Sequence, residues 1–305
     1  MFHVEQKLKS IESCPVCGGG NFKAFLSCKD YTVSKAEFSI LVCGGCGFAL
    51  TSPRPSDDTL GAYYESDEYI SHSNTKKGLI SRLYQSVRRH TLKKKLQLVN
   101  RESSATGAGK KGFLLDIGCG TGEFLNTCKQ DGWNVLGIEP SPSAREMGKK
   151  NYGLDVREED ALASVPSESQ DVITMWHVLE HVPYLNDRIQ KLKELLRKDG
   201  LIVIAVPNRT SHDAAYYGPF WAAYDVPRHL WHFRPDDMRA LMKKNDLEVV
   251  DVRPMKFDSY YVSMLSEKYK NGGGLIAAVW RGWISNRKAG KEGWSSLIYI
   301  IRHKG

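Results

Sequence analysis

Asp116, Gly118, Cys119, Gly120, Gly122 and Glu139 carry the spacing that speaks most directly to chemistry in this 305-residue chain. The run Phe113-Leu114-Leu115-Asp116-Ile117 is apolar enough for a buried strand. Gly118-Cys119-Gly120-Thr121-Gly122 then breaks it into a tight turn ahead of a helix. Glycines there remove the side chains that would hold a ligand away from the backbone, and they permit the turn itself. Glu139 closes the next apolar run, 135–138, and an acid about 20 residues past such a turn can accept hydrogen bonds from two ribose hydroxyls. The dinucleotide fingerprint G-x-G-x-x-G is not matched, because Glu123 stands three residues after Gly120 and Leu125 three after Gly122. Binding of a nicotinamide cofactor is therefore the weaker reading.

A second group of candidates lies in Trp176-His177-Val178-Leu179-Glu180-His181-Val182-Pro183. His177, Glu180 and His181 fall at spacings that share one face of a helical turn. An imidazole titrates near neutrality without perturbation, which suits a general base, so His181 is a candidate base against the alternative of a packing histidine. The same letters spell H-x-x-E-H, the inverted zinc-protease signature, but here they follow a buried strand. The 28-residue stretch 208–235 is the other unusual segment, rich in aromatic and ionisable groups. It is too long for a simple connection and is expected to form a lid. Tyr224, Asp225, Arg228 and His232 are its candidate substrate contacts. His229 is a second candidate base, with Asp225 and Arg228 beside it to orient the ring.

The front of the chain asks for different chemistry. Cys14-Pro15-Val16-Cys17 and Cys43-Gly44-Gly45-Cys46 are two C-x-x-C pairs with 25 residues between them. Each pair can bend round one ion, and four thiolates make a closed tetrahedral zinc site. The gap exceeds the roughly 15–20 residues usual between such pairs, yet it suits a long hairpin. Two disulfides are disfavoured in a reducing compartment, and a redox pair lacks its usual βαβ neighbour. A closed site has no position open for catalysis, so its task is to fold a small module remote from the glycine turn.

The elements that must position these groups follow from periodicity. Beyond residue 112 strand and helix patterns alternate, which predicts an α/β fold with a parallel sheet flanked by helices. Strands are expected at 113–117, 134–139, weakly at 154–156, at 171–176, and at 201–206 after the turn Lys198-Asp199-Gly200. Late strands are expected at 247–252 and 296–302. Ligands in such sheets bind outside the carboxyl ends of the strands. The organisation is a zinc module (1–55), a helical connector or cap (56–111, with a flexible joint at 103–109) and a main domain (112–305) with insertions at 208–235 and 255–295. The second insertion holds the run 275–284, with Trp280, Arg281 and Trp283. Resting on a membrane surface is one reading, and burial against the lid is the expected one.

Net charge is +8, from 43 basic and 35 acidic residues, and nine Lys or Arg with no Asp or Glu lie between Lys76 and Arg101. An apolar stripe (Ile80, Leu83, Val87, Leu92, Leu96, Val99) makes this segment an amphipathic helix with a solvated basic back. Contact with nucleic acid, anionic lipid or a phosphorylated substrate is the other reading. No stretch approaches the about 20 apolar residues of a spanning helix, and the start lacks a signal-type run, so a cytoplasmic protein is expected.

Residues 116–122 resemble motif I of the class I S-adenosylmethionine (SAM)-dependent methyltransferases, whose usual form is close to D-x-G-C-G-x-G. The segment His177-Val178-Leu179-Glu180-His181-Val182 and the late strands resemble the same family, over roughly residues 112–305. The front looks like that of a bacterial group within it: the cysteine knuckles, Thr51-Ser52-Pro53-Arg54-Pro55, then Tyr63-Tyr64-Glu65-Ser66 and Glu68-Tyr69. The resemblance implies a Rossmann-like sheet and SAM held by Asp116, Gly118, Cys119, Gly120, Gly122 and Glu139, with His177 beside it. Asp160 matches the family's acid against the adenine amino group, and a surface helix-capping acid is the equal alternative. The implied acceptor is a small molecule: a sugar, a cell-envelope component or a secondary metabolite. RNA methylation through the zinc module and basic helix is an alternative, although the RNA enzymes with cysteine knuckles carry a histidine ligand and a following signature absent here. A non-catalytic binding protein is a further alternative, disfavoured because Asp116, the glycines and Glu139 are all present.

Overall fold

The computed structural model describes residues 7–64, 79–103 and 111–305. The second half of the tyrosine-rich motif at 65–72, the start of the basic helix at 76–78 and the joint at 104–109 lie outside the described residues. Along the chain come β1 (Leu8–Lys9), β2 (Phe22–Lys29), β3 (Glu37–Cys43), β4 (Ala49–Thr51), β5 (Arg54–Pro55) and the long helix α1 (Leu79–Glu102). The alternating part follows: β6 (Phe113–Ile117), α2 (Glu123–Gln130), β7 (Asn134–Ile138), α3 (Pro142–Tyr152), β8 (Val156–Arg157), β9 (Gln170–Trp176), α4 (Leu185–Leu195) and β10 (Leu196–Pro207). The last elements are α5 (His212–Tyr217), β11 (Trp231–His232), α6 (Pro235–Lys244), β12 (Leu247–Pro254), α7 (Asp258–Asn271), α8 (Leu275–Lys288) and β13 (Ser296–His303).

The main sheet has seven strands in the order β12-β13-β10-β9-β6-β7-β8. Strands β8, β7, β6, β9 and β10 are parallel, while β13 runs antiparallel between β10 and β12. Every strand expected beyond residue 112 is present. Residues 201–206 of β10 are fully buried, as a continuous apolar run in a sheet covered on both faces should be. Pairing with β9 begins earlier, at Leu196, and shifts register before Leu201, so Lys198-Asp199-Gly200 is an irregularity within the strand. Asp171, the second residue of β9, secures the start of β6 by accepting from Phe113 N at 2.7 Å, and also accepts from Arg197 Nη1 at 2.9 Å.

A second sheet has four strands in the order β11-β4-β3-β2, and here the layout expected from the sequence changes. Strand β11 comes from the expected lid, yet it pairs with β4 of the cysteine module, Trp231 opposite Leu50 and His232 opposite Ala49. The join has its own core, in which Cys28, Phe38, Ile40 and Tyr63 pack with Tyr217, Trp221 and Val226. Beneath it the Arg228 guanidinium, 1% exposed, donates to Asp30 at 3.2 Å and is also held by Asp225. Asp30 accepts backbone N–H groups of Thr32, Val33 and Ser34 as well, so one carboxylate fixes both the β2–β3 turn and the lid. The knuckles dock on the main domain through Arg234 Nη2 to Cys46 O (2.8 Å) and Asn186 Nδ2 to Pro15 O (3.0 Å). The module therefore does not stand apart from 208–235; the two segments are one layer.

Helix α1 buries Leu98 and Val99 against α2 and the sheet and exposes Lys93 and Lys94, but Lys95 departs from the expected solvated face. It turns inward, with its ammonium 4.1 Å from the centre of the Trp176 ring. The second insertion also differs from expectation. Ala278, Gly282 and Ser285 of α8 are buried, Ser285 bonding Asp213 of the lid, whereas Leu275, Ile276, Val279, Trp280 and Trp283 are exposed, so the run meets the lid only along its small-residue face. Among the described residues no helix is long and apolar enough to cross a membrane.

Removing one partner of a buried ion pair leaves an uncompensated charge and costs about 3–5 kcal/mol. Asp30→Ala is expected to lower unfolding free energy by about 3 kcal/mol in urea titrations, the lower end because Asp225 remains. A loss below about 1 kcal/mol, the range of exposed pairs, would show that this contact does not hold the layer.

Candidate active site

The glycine turn is built for close approach. Gly118, Gly120 and Gly122 all have left-handed backbone, with φ of 69°, 55° and 83°. Their neighbours differ. A Cβ on Gly118 would lie 2.3 Å from Val178 and one on Gly122 2.5 Å from Leu154, so these two allow packing. A Cβ on Gly120 would meet nothing within 4 Å, which leaves this side of the turn open to a ligand. Glu139 is nearly buried, and both its oxygens are aimed by backbone: Gly120 N donates to one at 2.8 Å and Ser141 N to the other at 2.9 Å. Each oxygen keeps a further lone pair for a hydroxyl. Cys119 is half-buried, its N–H bonded to Ile138 O at 3.1 Å, and its sulfur packs towards Gly137.

Asp116 accepts from Thr174 Oγ1 at 2.6 Å. Burial pushes its carboxyl up to about 7, with the Thr174 bond and the Lys95 ammonium opposing and Glu139 adding to the rise. Burial in turn lowers Lys95 to about 8, against the pull of Asp116 and Asp258. Asp160, by contrast, is exposed, in a short 3-10 turn after β8.

The segment after β9 begins with strain. His177 has φ of 58°, uncommon for a residue with a side chain, and such backbone concentrates at functional sites. Its Nε2 is 2.8 Å from Asp258 and its Nδ1 3.3 Å from Glu180. Burial disfavours its charge, but the Asp258 and Glu180 carboxylates outweigh burial and raise it to about 10. His181 and His229 meet edge to face at 4.5 Å between ring centres. Ligand atoms of Glu180, His181 and His229 all lie within 4.8 Å of one another. His229 Nδ1 is 2.8 Å from Ala223 O, a carbonyl that can only accept, so the assigned tautomer puts the proton there and leaves Nε2 a lone pair. His181 Nδ1 lies 2.9 Å from Tyr64 Oη and 3.1 Å from Arg228 O. Burial, then the neighbouring His229, push His181 down to about 4, so this ring is neutral.

The remaining lid candidates sit in the join. Tyr224 and His232 are buried and meet edge to face, and His232 Nε2 lies 2.9 Å from Thr51 Oγ1. That hydroxyl donates to His229 O at 2.7 Å, so the cysteine module reaches the histidine pair through one bond. Burial, helped by His229 and Arg209, holds His232 well below the ordinary imidazole range. Asp225 keeps an oxygen 4.0 Å from His229 Nε2 while holding Arg228. At the knuckles all four sulfurs converge: Cys14 and Cys46 are 3.6 Å apart and Cys17 and Cys43 3.4 Å, too far for disulfides, and all are free thiols.

Sequence reasoning missed Lys95 and Asp258, and it named Glu180 and Tyr64 without giving them roles. Lys95 carried no signal because it sits in a lysine run, and Asp258 bonds a histidine 81 positions away. Tyr64 and Glu180 each lie in a motif already quoted, Glu180 next to His181.

A sheet of this order, with a glycine turn at its first strand and an acid after its second, defines a SAM-type methyl-transfer scaffold. Residues 84–252 match the family model of a methyltransferase domain, and the chain belongs to that family and is a class I SAM-dependent methyltransferase. Among curated proteins it is similar to the ubiquinone biosynthesis O-methyltransferase of Actinobacillus pleuropneumoniae serotype 5b (strain L20), 30% identical over 174 residues, 53% of this chain and 73% of that one. The protein so named in Nitrosococcus oceani is 26% identical over 190 residues, 58% of this chain and 78% of that one. Among solved structures, magnesium protoporphyrin IX methyltransferase from Synechocystis PCC 6803 with bound SAH aligns at TM-score 0.53 and 12% identity, over 82% of this chain and 100% of that chain. Geranyl diphosphate methyltransferase in complex with SAM aligns at TM-score 0.52 and 15% identity, over 77% and 95%. At such identities the structural likenesses bear on the fold alone.

His177 yields a pH test. Its folded value, about 10, is raised above the ordinary imidazole 6.5, so its contribution to stability is complete below about pH 6.5 and is lost as pH rises through 10. His177→Asn tolerates the left-handed backbone but carries no charge. The stability gap between wild type and variant, from denaturant titrations, should narrow steadily from neutral to alkaline pH. A gap that stays constant across that range would mean that His177 is uncharged in the fold.

Proposed function

We propose that the chain methylates a small-molecule acceptor held between the carboxyl ends of the main sheet and the layer formed by 208–235 and the cysteine module, with His229 taking the acceptor's proton. A sugar, a cell-envelope component or a secondary metabolite fits this reading. The observation that supports it best is the Glu180–His181–His229 cluster, in which Glu180 and His229 are buried and which meets the glycine turn through Val178 against Gly118.

The residues fit SAM. The open side of Gly120, the two aimed oxygens of Glu139 and the buried Asp116 form a cradle for a ribose and a cationic amino group. In this reading Asp160, exposed after β8, meets the adenine amino group, Cys119 lies within the glycine turn and His177 stands at the end of β9. When bound, SAM supplies a methyl group already activated by its sulfonium, so the chain has mainly to align the acceptor and exclude water. Glu180, paired with the protonated His177, fixes the floor of the acceptor side. His181, lowered to about 4, is a weak proton acceptor at neutral pH, which favours His229 for the base role, with His181 as its neighbour. Asp225 stands ready to stabilise the imidazolium that would form. Arg228, Tyr224 and His232 serve the acceptor indirectly, by fixing the layer that carries His229.

We assign structural zinc to Cys14, Cys17, Cys43 and Cys46. Zinc–sulfur bonds of about 2.3 Å in a tetrahedron put sulfurs about 3.8 Å apart, close to the 3.6 and 3.4 Å between paired thiols. The RNA reading loses support from α1, where Lys95 points inward and Arg88 pairs with Glu123. Methylation of total RNA by the purified protein with labelled SAM would contradict a small-molecule acceptor.

A base in the transition state contributes ~10²–10⁴-fold, so His229→Ala should lower kcat by that order and leave SAM affinity unchanged. A loss under tenfold at saturating acceptor would mean that alignment alone carries the reaction. Cys43→Ser should lose about one zinc per chain by elemental analysis and keep SAM binding, yet lose turnover, because the module braces the acceptor side. Full turnover without zinc would separate the module from the active site.

A further inference from the structure

The helical hairpin α7–α8 inverts the usual arrangement of a surface helix. The inward face of α8 is made of small residues, Ala278, Gly282 and Ser285; a Cβ on Gly282 would lie 2.8 Å from the Tyr260 ring, and Ser285 Oγ donates to Asp213 at 2.8 Å. Its large apolar residues point outward. Ile276 is 89% exposed, Leu275 59%, Trp280 56%, Val279 50% and Trp283 40%. They recur at helical spacing along one stripe, with Trp280 and Trp283 stacked at 4.9 Å. Helix α7 adds exposed Tyr261 and Met264. Contiguous exposed apolar surface of this kind marks an interaction site.

The surrounding charge selects the partner. Residues 255–291 contain seven Lys or Arg and two acids. Both acids are engaged inside the fold, Asp258 with His177 and Glu267 with Tyr217 and Asn271. The outward face is therefore tryptophan and aliphatic residues rimmed by cations, including exposed Lys268, Lys270, Arg287 and Lys288. Two copies packed face to face would bring these rims together with like charge. An interfacial helix on an anionic bilayer needs this composition: apolar groups at the acyl boundary, tryptophan at headgroup level and Lys or Arg at the phosphates.

We propose that α7–α8 is a peripheral docking surface for anionic phospholipid bilayers. Because α7 starts at Asp258, which bonds His177, docking there sets the membrane beside the start of the segment that follows β9. The inference rests on surface composition and is independent of the acceptor's identity.

The test is co-sedimentation of the full chain with vesicles of phosphatidylglycerol and phosphatidylcholine, against phosphatidylcholine alone. Wild type should sediment with the anionic vesicles, release in high salt, and shift its tryptophan emission to the blue. Ile276→Asp with Trp280→Asp, exposed positions whose thermal melting should match wild type, is expected to weaken association at least about tenfold, since apolar burial drives it. Arg287→Ala should weaken it about fivefold, the worth of one cation at such a surface. Wild type left in the supernatant, or sedimentation unchanged by the double substitution, would overturn the proposal. So would a wild-type dimer in light scattering that the double substitution turns into a monomer, since a second copy would then cover the face.

Discussion

One buried guanidinium ties the cysteine module to the layer that carries the histidine pair. Arg228 has almost no contact with solvent, so its charge must be compensated inside, and the compensation comes from two directions: Asp30 in the cysteine module and Asp225 in the lid. The backbone carbonyl of the same residue stands against His181, and the next residue is His229. The site's histidine pair is thus placed by an ion pair that also ties two distant stretches of chain. The edge pairing of β11 on β4, and the Thr51 hydroxyl shared by His229 and His232, follow from that attachment.

Around the glycine turn the controlling effect is desolvation. Asp116 and Lys95 each lose solvation near the glycine turn, and each moves towards its neutral form, to about 7 and about 8. Trp176 supplies the aromatic face on which the ammonium rests. A ligand bringing its own positive charge to Asp116 meets a group poised to ionise, with Lys95 as the competing cation. Asp258 connects the two sides, since it bonds His177 and also acts on Lys95.

The main sheet was largely legible in the sequence, because parallel strands buried on both faces are written as short apolar runs such as 113–117 and 201–206. The cysteine cluster was legible for a similar reason: its spacing is local. What stayed hidden was long-range. Nothing in Trp231-His232 announces pairing with Leu50 and Ala49, and a lysine run does not mark Lys95 as the one turned inward. Leu275–Lys288 reads as apolar enough to be buried, and only its small inward residues reveal that the opposite face points out. The candidate site was found where motif and strand end coincide, and was incomplete where it depends on partners such as Asp258 and Asp30.

Calorimetric titration of SAM into the purified chain tests the central claim most directly. We expect one site per chain, and weakening of about 1–3 kcal/mol in Glu139→Ala, because two ribose hydroxyls would lose the side chain that Gly120 and Ser141 hold in place. Absence of SAM binding by the folded wild type, or tight binding of NAD in its place, would contradict the account.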